Sequence, residues 1–429
     1  MTFELVFANA TLADGRVTDI AISDGKIAEL GQDLVGETVI AADGLIVLPG
    51  FVDMHTHLRE PGFEASETVL TGSRAAAKGG YTAVHPMANT SPVADTAGVV
   101  EQVHGLGLAA GYVDVFPVGA VTKGLDGKQL AELGAMANSR AQVRVFSDDG
   151  KCVSDPLLMR RALEYVKNFG GVVAQHAQDP RLTEGAQMNE GVVSAQLGLT
   201  GWPGVAEESI IARDVMLAET LGSRIHVCHL STARSVEIVR WAKQRGVQVT
   251  AEVTPHHLLL TDELVRTYDP VYKVNPPLRT QDDVTALRAA LVDGTIDIIA
   301  TDHAPHPAEA KECEWDSAAF GMVGLETAAS VAQLVLIESG ASTWQRLAEV
   351  MSVNPARIAG DPEQGEAIAV GAIANLAFID PKVQREVLRS TESKSENNPY
   401  AGLTLPGRVL HTVYRGRPTV LNGTIQDLA

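Results

Sequence analysis

The stretch Phe51-Val52-Asp53-Met54-His55-Thr56-His57 places two histidines at the end of an apolar run that begins at Leu45-Ile46-Val47-Leu48. Side chains alternate faces along a β-strand, so residues two apart point the same way and two imidazoles in that register can grip one ion. His55 and His57 are therefore candidate metal ligands. A His-x-His at a strand end can also be plain polar edge, and what separates the two readings lies downstream. Isolated acids and histidines recur at the ends of later apolar runs: Asp148-Asp149 after Val143-Arg144-Val145-Phe146, His176 after Val172-Val173-Ala174, His229 after Ile225-His226-Val227-Cys228, and Asp302 after Ile298-Ile299-Ala300. Each sits where its strand should stop.

Strands separated by helical segments, with polar residues kept for the C-terminal ends, predict an α/β chain folded as a (β/α)8 barrel of TIM type with its chemistry at one mouth. Strands are expected near 50–57, 82–88, 114–121, 143–148, 172–177, 224–230, 248–254 and 296–302. Amphipathic stretches over 66–79, 156–170, 207–221, 233–245 and 325–339 supply helices between and after them. Gly79-Gly80, Gly170-Gly171 and Gly246 mark three helix ends.

A chain of 429 residues exceeds what such a barrel needs. Residues 1–50 alternate short β-like runs with turns at Asp14-Gly15 and Asp24-Gly25, and residues 364–429 do the same. The expected division is a barrel over 51–360 flanked by 1–50 and 361–429, the two parts of one small β-domain. Ser390 to Asn398 is polar enough to predict a mobile loop.

Thirty-four Lys and Arg against 53 Asp and Glu give a net charge of −19, which argues against a nucleic-acid or anionic-membrane partner. No apolar run approaches the roughly 20 residues of a membrane span, and no basic-then-apolar signal opens the sequence. Three cysteines, Cys152, Cys228 and Cys313, fit a reducing compartment, so a cytoplasmic location is expected. Cys152 and Cys228 read as inert small residues. Cys228, next to His229 on its strand, should face the opposite side.

Several segments together carry a family resemblance: Asp53 to Gly62, Met87-Ala88-Asn89-Thr90, Ser147-Asp148-Asp149-Gly150, Val274-Asn275-Pro276-Pro277-Leu278-Arg279, Thr301-Asp302-His303-Ala304-Pro305-His306 and Phe320-Gly321. In this order they resemble bacterial dihydroorotases of the longer type, members of the amidohydrolase superfamily. The resemblance spans nearly the whole chain. It implies the reversible closure of N-carbamoyl-L-aspartate to (S)-dihydroorotate with loss of water, in pyrimidine biosynthesis. It also implies a homodimer and leaves open an association with aspartate carbamoyltransferase.

By the same resemblance the zinc ligands are His55, His57, Asp149, His176, His229 and Asp302, with one or two ions per chain. Imidazoles and carboxylates suit borderline Zn²⁺. Superfamily relatives with two metals often bridge them by a carboxylated lysine on the fourth strand. Here Gln142 to Asp149 contains no lysine, Lys151 comes only afterwards, and Asp149 is expected to bridge instead. Zinc would lower the pKa of its water from about 15.7 toward roughly 7, giving a hydroxide that attacks the ring carbonyl, while Asp302 moves the proton to the departing nitrogen.

For the substrate carboxylate, Arg59 lies two residues past His57 and offers a planar two-point donor. The resemblance assigns substrate contacts to His57, Arg59, Asn89, Asn275, His306 and the Phe320-Gly321 backbone. His85, His226, His256, His257 and His303 read as structural, and His85-Pro86 departs from the apolar residues expected in the second strand. The loop after Arg59 and the segment 307–319 could each close over substrate. Two alternatives remain: a hydantoinase or dihydropyrimidinase, which normally needs the missing lysine, and a non-catalytic homologue that scaffolds aspartate carbamoyltransferase, in which the paired histidines are typically lost.

Overall fold

In the computed structural model, which describes residues 2–428, the apolar runs form eight parallel barrel strands: Phe51–Thr56, Tyr81–Pro86, Asp114–Val115, Val145–Phe146, Val172–Gln175, Ile225–Val227, Val249–Val253 and Ile298–Ile299. The first three pair as one arc and the last five as another. Isolated parallel bridges, Gly119 to Phe146 and Thr56 to His303, close the arcs into a ring. Met54, Met87, Val118, Val145, Val172, Ala174, Cys228, Ile298 and Ala300 fill its interior.

The helices that cover the ring begin at residues able to cap them. Thr68 accepts from Thr71 N to open Val69–Lys78, and Asp155 accepts from Leu158 N to open Pro156–Val166, whose first position is proline. Val69–Lys78 buries Val69, Gly72, Ser73, Ala75, Ala76 and Ala77, a face of mostly small side chains. Val205–Leu221 and Ala233–Gln244 occupy the stretches expected of them. The stretch expected over 325–339 is instead a short α-helix, Ala328–Ala332, that passes into a π-helical turn, Gln333–Glu338.

Both ends of the chain enter one further sheet. Phe3–Leu12 lies between Val17–Ser23, which it pairs antiparallel, and Gly36–Ala41 and Ile46–Pro49, which it pairs parallel. Ile46–Pro49 then pairs antiparallel with Leu376–Glu386, which continues to Thr404–Tyr414, Arg417–Leu421 and Thr424–Ile425. This sheet has its own core, in which Phe7 stacks on Phe378 with centroids 4.3 Å apart. The run from Leu45 is therefore not one barrel strand. It divides at Gly50, where a β-carbon would overlap the Thr82 side chain, so glycine lets the chain cross from the terminal sheet into the barrel.

Two other expectations change. Ser393, Ser395, Asn397 and Asn398 are buried, so the polar stretch after Ser390 is a packed strap rather than a free loop. Cys228 faces the barrel interior, with its sulfur within 4.8 Å of ligand atoms of His55 and Glu252. The strand's alternation carries Cys228 inward after His226, whose partner Ala174 also lies inside, and it is His229, with a left-handed backbone at φ 28°, that leaves the register.

Candidate metal centre and substrate pocket

His55 occupies the first barrel strand and His57 the position after it, both buried. Asp149 follows the fourth strand, His176 the fifth, His229 the sixth and Asp302 the eighth. All six converge at one mouth. His55 Nε2 lies 3.2 Å from Asp149 Oδ1 and 3.5 Å from Asp302 Oδ1, and His57 Nε2 lies 3.4 Å from Asp149 Oδ2 and 3.1 Å from Asp302 Oδ1. On the other side, His176 Nδ1 and His229 Nε2 stand 3.1 and 3.5 Å from Asp149 Oδ1. Two clusters able to hold an ion result, His55-His57-Asp149 and Asp149-His176-His229, with Asp149 in both.

The neighbouring acids have separate tasks. Asp148 turns outward and accepts from Val121 N at 2.8 Å, Thr122 N at 2.9 Å and the Thr122 hydroxyl, leaving Asp149 to face the mouth. Lys151 is exposed. His229 and Asp302 have φ of 28° and 47°, conformations that non-glycine residues adopt only when the surroundings over-determine them. The turn at His229 carries its imidazole out of the strand register toward Asp149, whereas Asp302 keeps the inward side of Ile298 and Ala300 and meets His55 and His57.

These residues suit a divalent cation. His55 Nε2 is buried with no hydrogen-bond partner, an isolated donor atom aimed at two carboxylates. Burial would lower the His55 imidazole, but Asp149, Glu252 and Asp302 outweigh it and hold it well above the usual histidine range. Burial likewise opposes ionisation of Asp149 and Asp302, yet the surrounding histidines win: Asp149 is held well below the carboxylate range and Asp302 at about 2.

Glu252 and Gln178 escaped the sequence reading. Glu252 is buried on the seventh strand, with Oε1 2.6 Å from His55 Nδ1 and 3.1 Å from His229 N, and Oε2 3.0 Å from His226 Nε2. It orients one candidate ligand and fixes the backbone of another, the second-layer support that metal-binding imidazoles need. Its signal was a lone carboxylate between Ala251 and Val253 in an apolar strand. Gln178 Oε1 lies 2.7 Å from His176 Nε2 and accepts from Asn275 Nδ2 at 3.0 Å. Nothing in its local sequence marks it.

The expected substrate contacts surround the same mouth. Asn89 Oδ1 lies 3.0 Å from His57 Nδ1, which makes that nitrogen the donor and turns Nε2 toward Asp302 Oδ1. Arg59, with φ 64°, donates through Nε to Pro305 O at 3.1 Å. His306 Nε2 donates to Phe320 O at 2.8 Å, and Arg59 Nη2 packs 3.3 Å from that same nitrogen. Burial, then the charges of Arg59 and Lys311, pull the His306 imidazole down to about 3, so it is neutral. Asn275 has a buried Oδ1 with no partner. Gly321 is committed within its loop, donating to Lys273 O at 2.9 Å and accepting from Lys311 Nζ at 3.0 Å and Asn397 Nδ2 at 3.1 Å.

The five histidines read as structural are accounted for by packing or hydrogen bonds. His85 pairs with Asp361 at 2.8 Å, His226 with Glu252, His257 with Thr254 at 2.8 Å, and His303 with Glu67 at 3.3 Å. His256 packs on His257, its Nε2 unpaired, and burial lowers it to about 4. Burial also pushes the Cys152 thiol up to about 12, away from reactivity. The segment 307–319 is pinned, because Lys311 Nζ donates to Lys273 O at 3.2 Å and Ala319 O at 2.8 Å.

Residues 44–235 match the family model described as dihydro-orotase-like. Dihydroorotase from Leifsonia xyli subsp. xyli is 65% identical over 98% of this chain and 97% of its own, and that from Streptomyces coelicolor 64% identical over 97% and 98%. The enzyme of that name from Mycobacterium tuberculosis is 52% identical over 96% and 97%. Among solved structures, L-hydantoinase from Arthrobacter aurescens superposes with a TM-score of 0.89 at 25% identity, covering 99% of this chain and 98% of that one. Dihydropyrimidinase from Brevibacillus agri gives 0.85 at 24%, covering 98% and 95%. The barrel is thus shared with hydantoinases, while close identity along nearly the full length lies with one group of enzymes, and the chain belongs to the dihydroorotase family.

Proposed function

We propose that this chain interconverts N-carbamoyl-L-aspartate and (S)-dihydroorotate in de novo pyrimidine synthesis, using zinc held by His55, His57, Asp149, His176, His229 and Asp302. The observation that carries the metal reading is the sharing of Asp149 by two histidine pairs, beside a buried His55 Nε2 that has no hydrogen-bond partner. The bound metal would supply an activated water and polarise the ring amide carbonyl.

The chain's own groups do the rest. Asp302, ionised with its carboxyl held at about 2, can take a proton from the attacking water and deliver it to the ring nitrogen as the amide bond breaks. Cyclisation runs the same transfer backwards. Arg59 carries the cation for the substrate carboxylate, with the neutral His306 and the Asn89 amide beside it. The exposed position of Lys151 supports Asp149 as the bridging group and weighs against a hydantoinase-type centre. The same reading takes 51–360 as the metal-dependent barrel and 1–50 with 361–429 as its β-domain, in a cytoplasmic homodimer.

The test is zinc content per chain alongside kcat/KM for dihydroorotate, dihydrouracil and hydantoin. We expect bound zinc, loss of turnover on chelation with recovery on zinc addition, and a preference for dihydroorotate of about 10⁴-fold, as for sites built around a group the analogues lack. Full activity without metal would sink the centre. Equal efficiency on all three rings would move the assignment to a hydantoinase-like amidase.

A further inference from the structure

We propose that Asn397, from the C-terminal strap, is a positioning residue that sets the spacing of His306 and the Phe320-Gly321 loop. The inference rests on the reading that these two segments line the substrate pocket.

The strap is anchored before it reaches the pocket. The Ser393 hydroxyl bonds to the buried Glu67 carboxylate, Lys394 Nζ donates to Glu64 O at 2.6 Å, and Ser395 Oγ donates to Ser66 O at 2.6 Å. These contacts hold it on the loop that follows Arg59. Asn397 then reaches the opposite loop: Nδ2 donates to Ala304 O at 3.0 Å and to Gly321 O at 3.1 Å, while Oδ1 accepts from His306 N at 3.1 Å. Val323 N closes the contact on Asn397 O at 3.1 Å. Asn397, His306 and Lys311 all line one cavity of about 690 Å³ that opens beside this contact.

The chemistry of the side chain is matched to the task. Two N–H groups and one carbonyl on a planar amide satisfy two acceptors and one donor at once. Aspartate has the same shape but would set an oxygen against two carbonyls. Alanine would leave three backbone groups without this partner. The two segments are already in contact, since a β-carbon on Gly321 would stand 2.8 Å from Ala304 O and 2.9 Å from His306 Cδ2. Asn397 bonds to both of them, beside the direct contacts of His306 Nε2 with Phe320 O at 2.8 Å and Ala304 N with Met322 O at 2.7 Å. Lys311 holds Gly321 O independently, so the loop keeps an anchor when Asn397 is changed.

The experiment compares N397A, N397D and H306A with wild type in zinc content, thermal unfolding, kcat and KM for dihydroorotate, and kcat/KM for dihydrouracil. N397A should keep wild-type metal content while KM for dihydroorotate rises about 10-fold or more and kcat changes less, as expected for unpairing groups in a closed pocket. Dihydrouracil, which lacks the carboxylate, should change by less than about threefold. N397D should match N397A, and if N397A does not fold, this isosteric variant decides on the same readouts. Wild-type KM in either variant, or an equal fall on both substrates, would overturn the proposal. H306A with an unchanged preference for dihydroorotate would overturn the pocket reading itself, and it does so through a separate variant.

Discussion

Asp302 permits the sharpest single-residue test. It stands 3.1 Å from His57 Nε2 on a left-handed backbone, so an isosteric amide should keep the turn while removing the proton acceptor. Asp302→Asn is expected to stay folded, retain part of its metal-binding capacity and lose about 10²–10⁴-fold in kcat, the usual contribution of a positioned acid–base group. Turnover near wild type would remove it from proton transfer. Arg59→Lys keeps the charge but not the planar pair of donors, so KM for dihydroorotate should rise about 10-fold or more with dihydrouracil little changed. Equal efficiency of the lysine variant on dihydroorotate would show that carboxylate recognition lies elsewhere.

The loop that carries Phe320-Gly321 has a closely specified geometry. Gly321 has φ 147° and no room for a β-carbon between Ala304 and His306, so Gly321→Ala should force those segments apart. Its expected signature is intact metal content with a fall in dihydroorotate kcat/KM of about 10-fold or more; wild-type kinetics would mean that the loop position is not critical. A second element test concerns the turn before the Ala328–Ala332 helix, where Glu326 Oε1 accepts from Glu392 N of the strap at 2.6 Å. Burial raises the Glu326 carboxyl from 4.5 to about 7. Between those values the folded state holds a proton that the unfolded chain has released, so the contribution is fully present below 4.5 and lost as pH rises through about 7. Glu326→Gln should flatten that part of the stability curve and raise Tm at about pH 8, with little change at about pH 4. An unchanged slope would refute the raised carboxyl.

The molecule as a whole separates its chemistry from much of its apolar packing. The terminal sheet has a core of its own, and its Phe378 is fully buried against Phe7. Phe378→Ala should cost about 3–5 kcal/mol and lower Tm, as expected for emptying an aromatic site in a packed core. Below its new Tm, kcat/KM should stay within about twofold of wild type, since the cavity lies outside the barrel mouth. A large loss of activity at a temperature where the variant remains folded would show that the sheet reaches the active site through more than the strap.

Much of this protein is written locally. Apolar runs punctuated by turns placed the eight strands, and five of them end in the His or Asp residues from which the family resemblance draws the six candidate ligands, because a strand's extent and its point of termination depend on neighbours only a few residues apart. The tertiary structure alone decided the rest. Whether Asp148 or Asp149 faces the mouth depends on Thr122, which takes Asp148 away, whereas the linear pattern had only family likeness to choose between them. Glu252 gains its role only when the barrel closes and sets the first strand across the interior from the sixth and seventh, and Cys228 faces the interior because it is His229, with its left-handed backbone, that departs from the alternation. The serine- and asparagine-rich strap reads as solvated because composition records polarity but not partners, and its partners at Glu67, Ala304 and Gly321 lie about 75 to 325 residues away in the chain. Local order therefore specified which residues carry chemistry, and long-range hydrogen bonding decided how they are held.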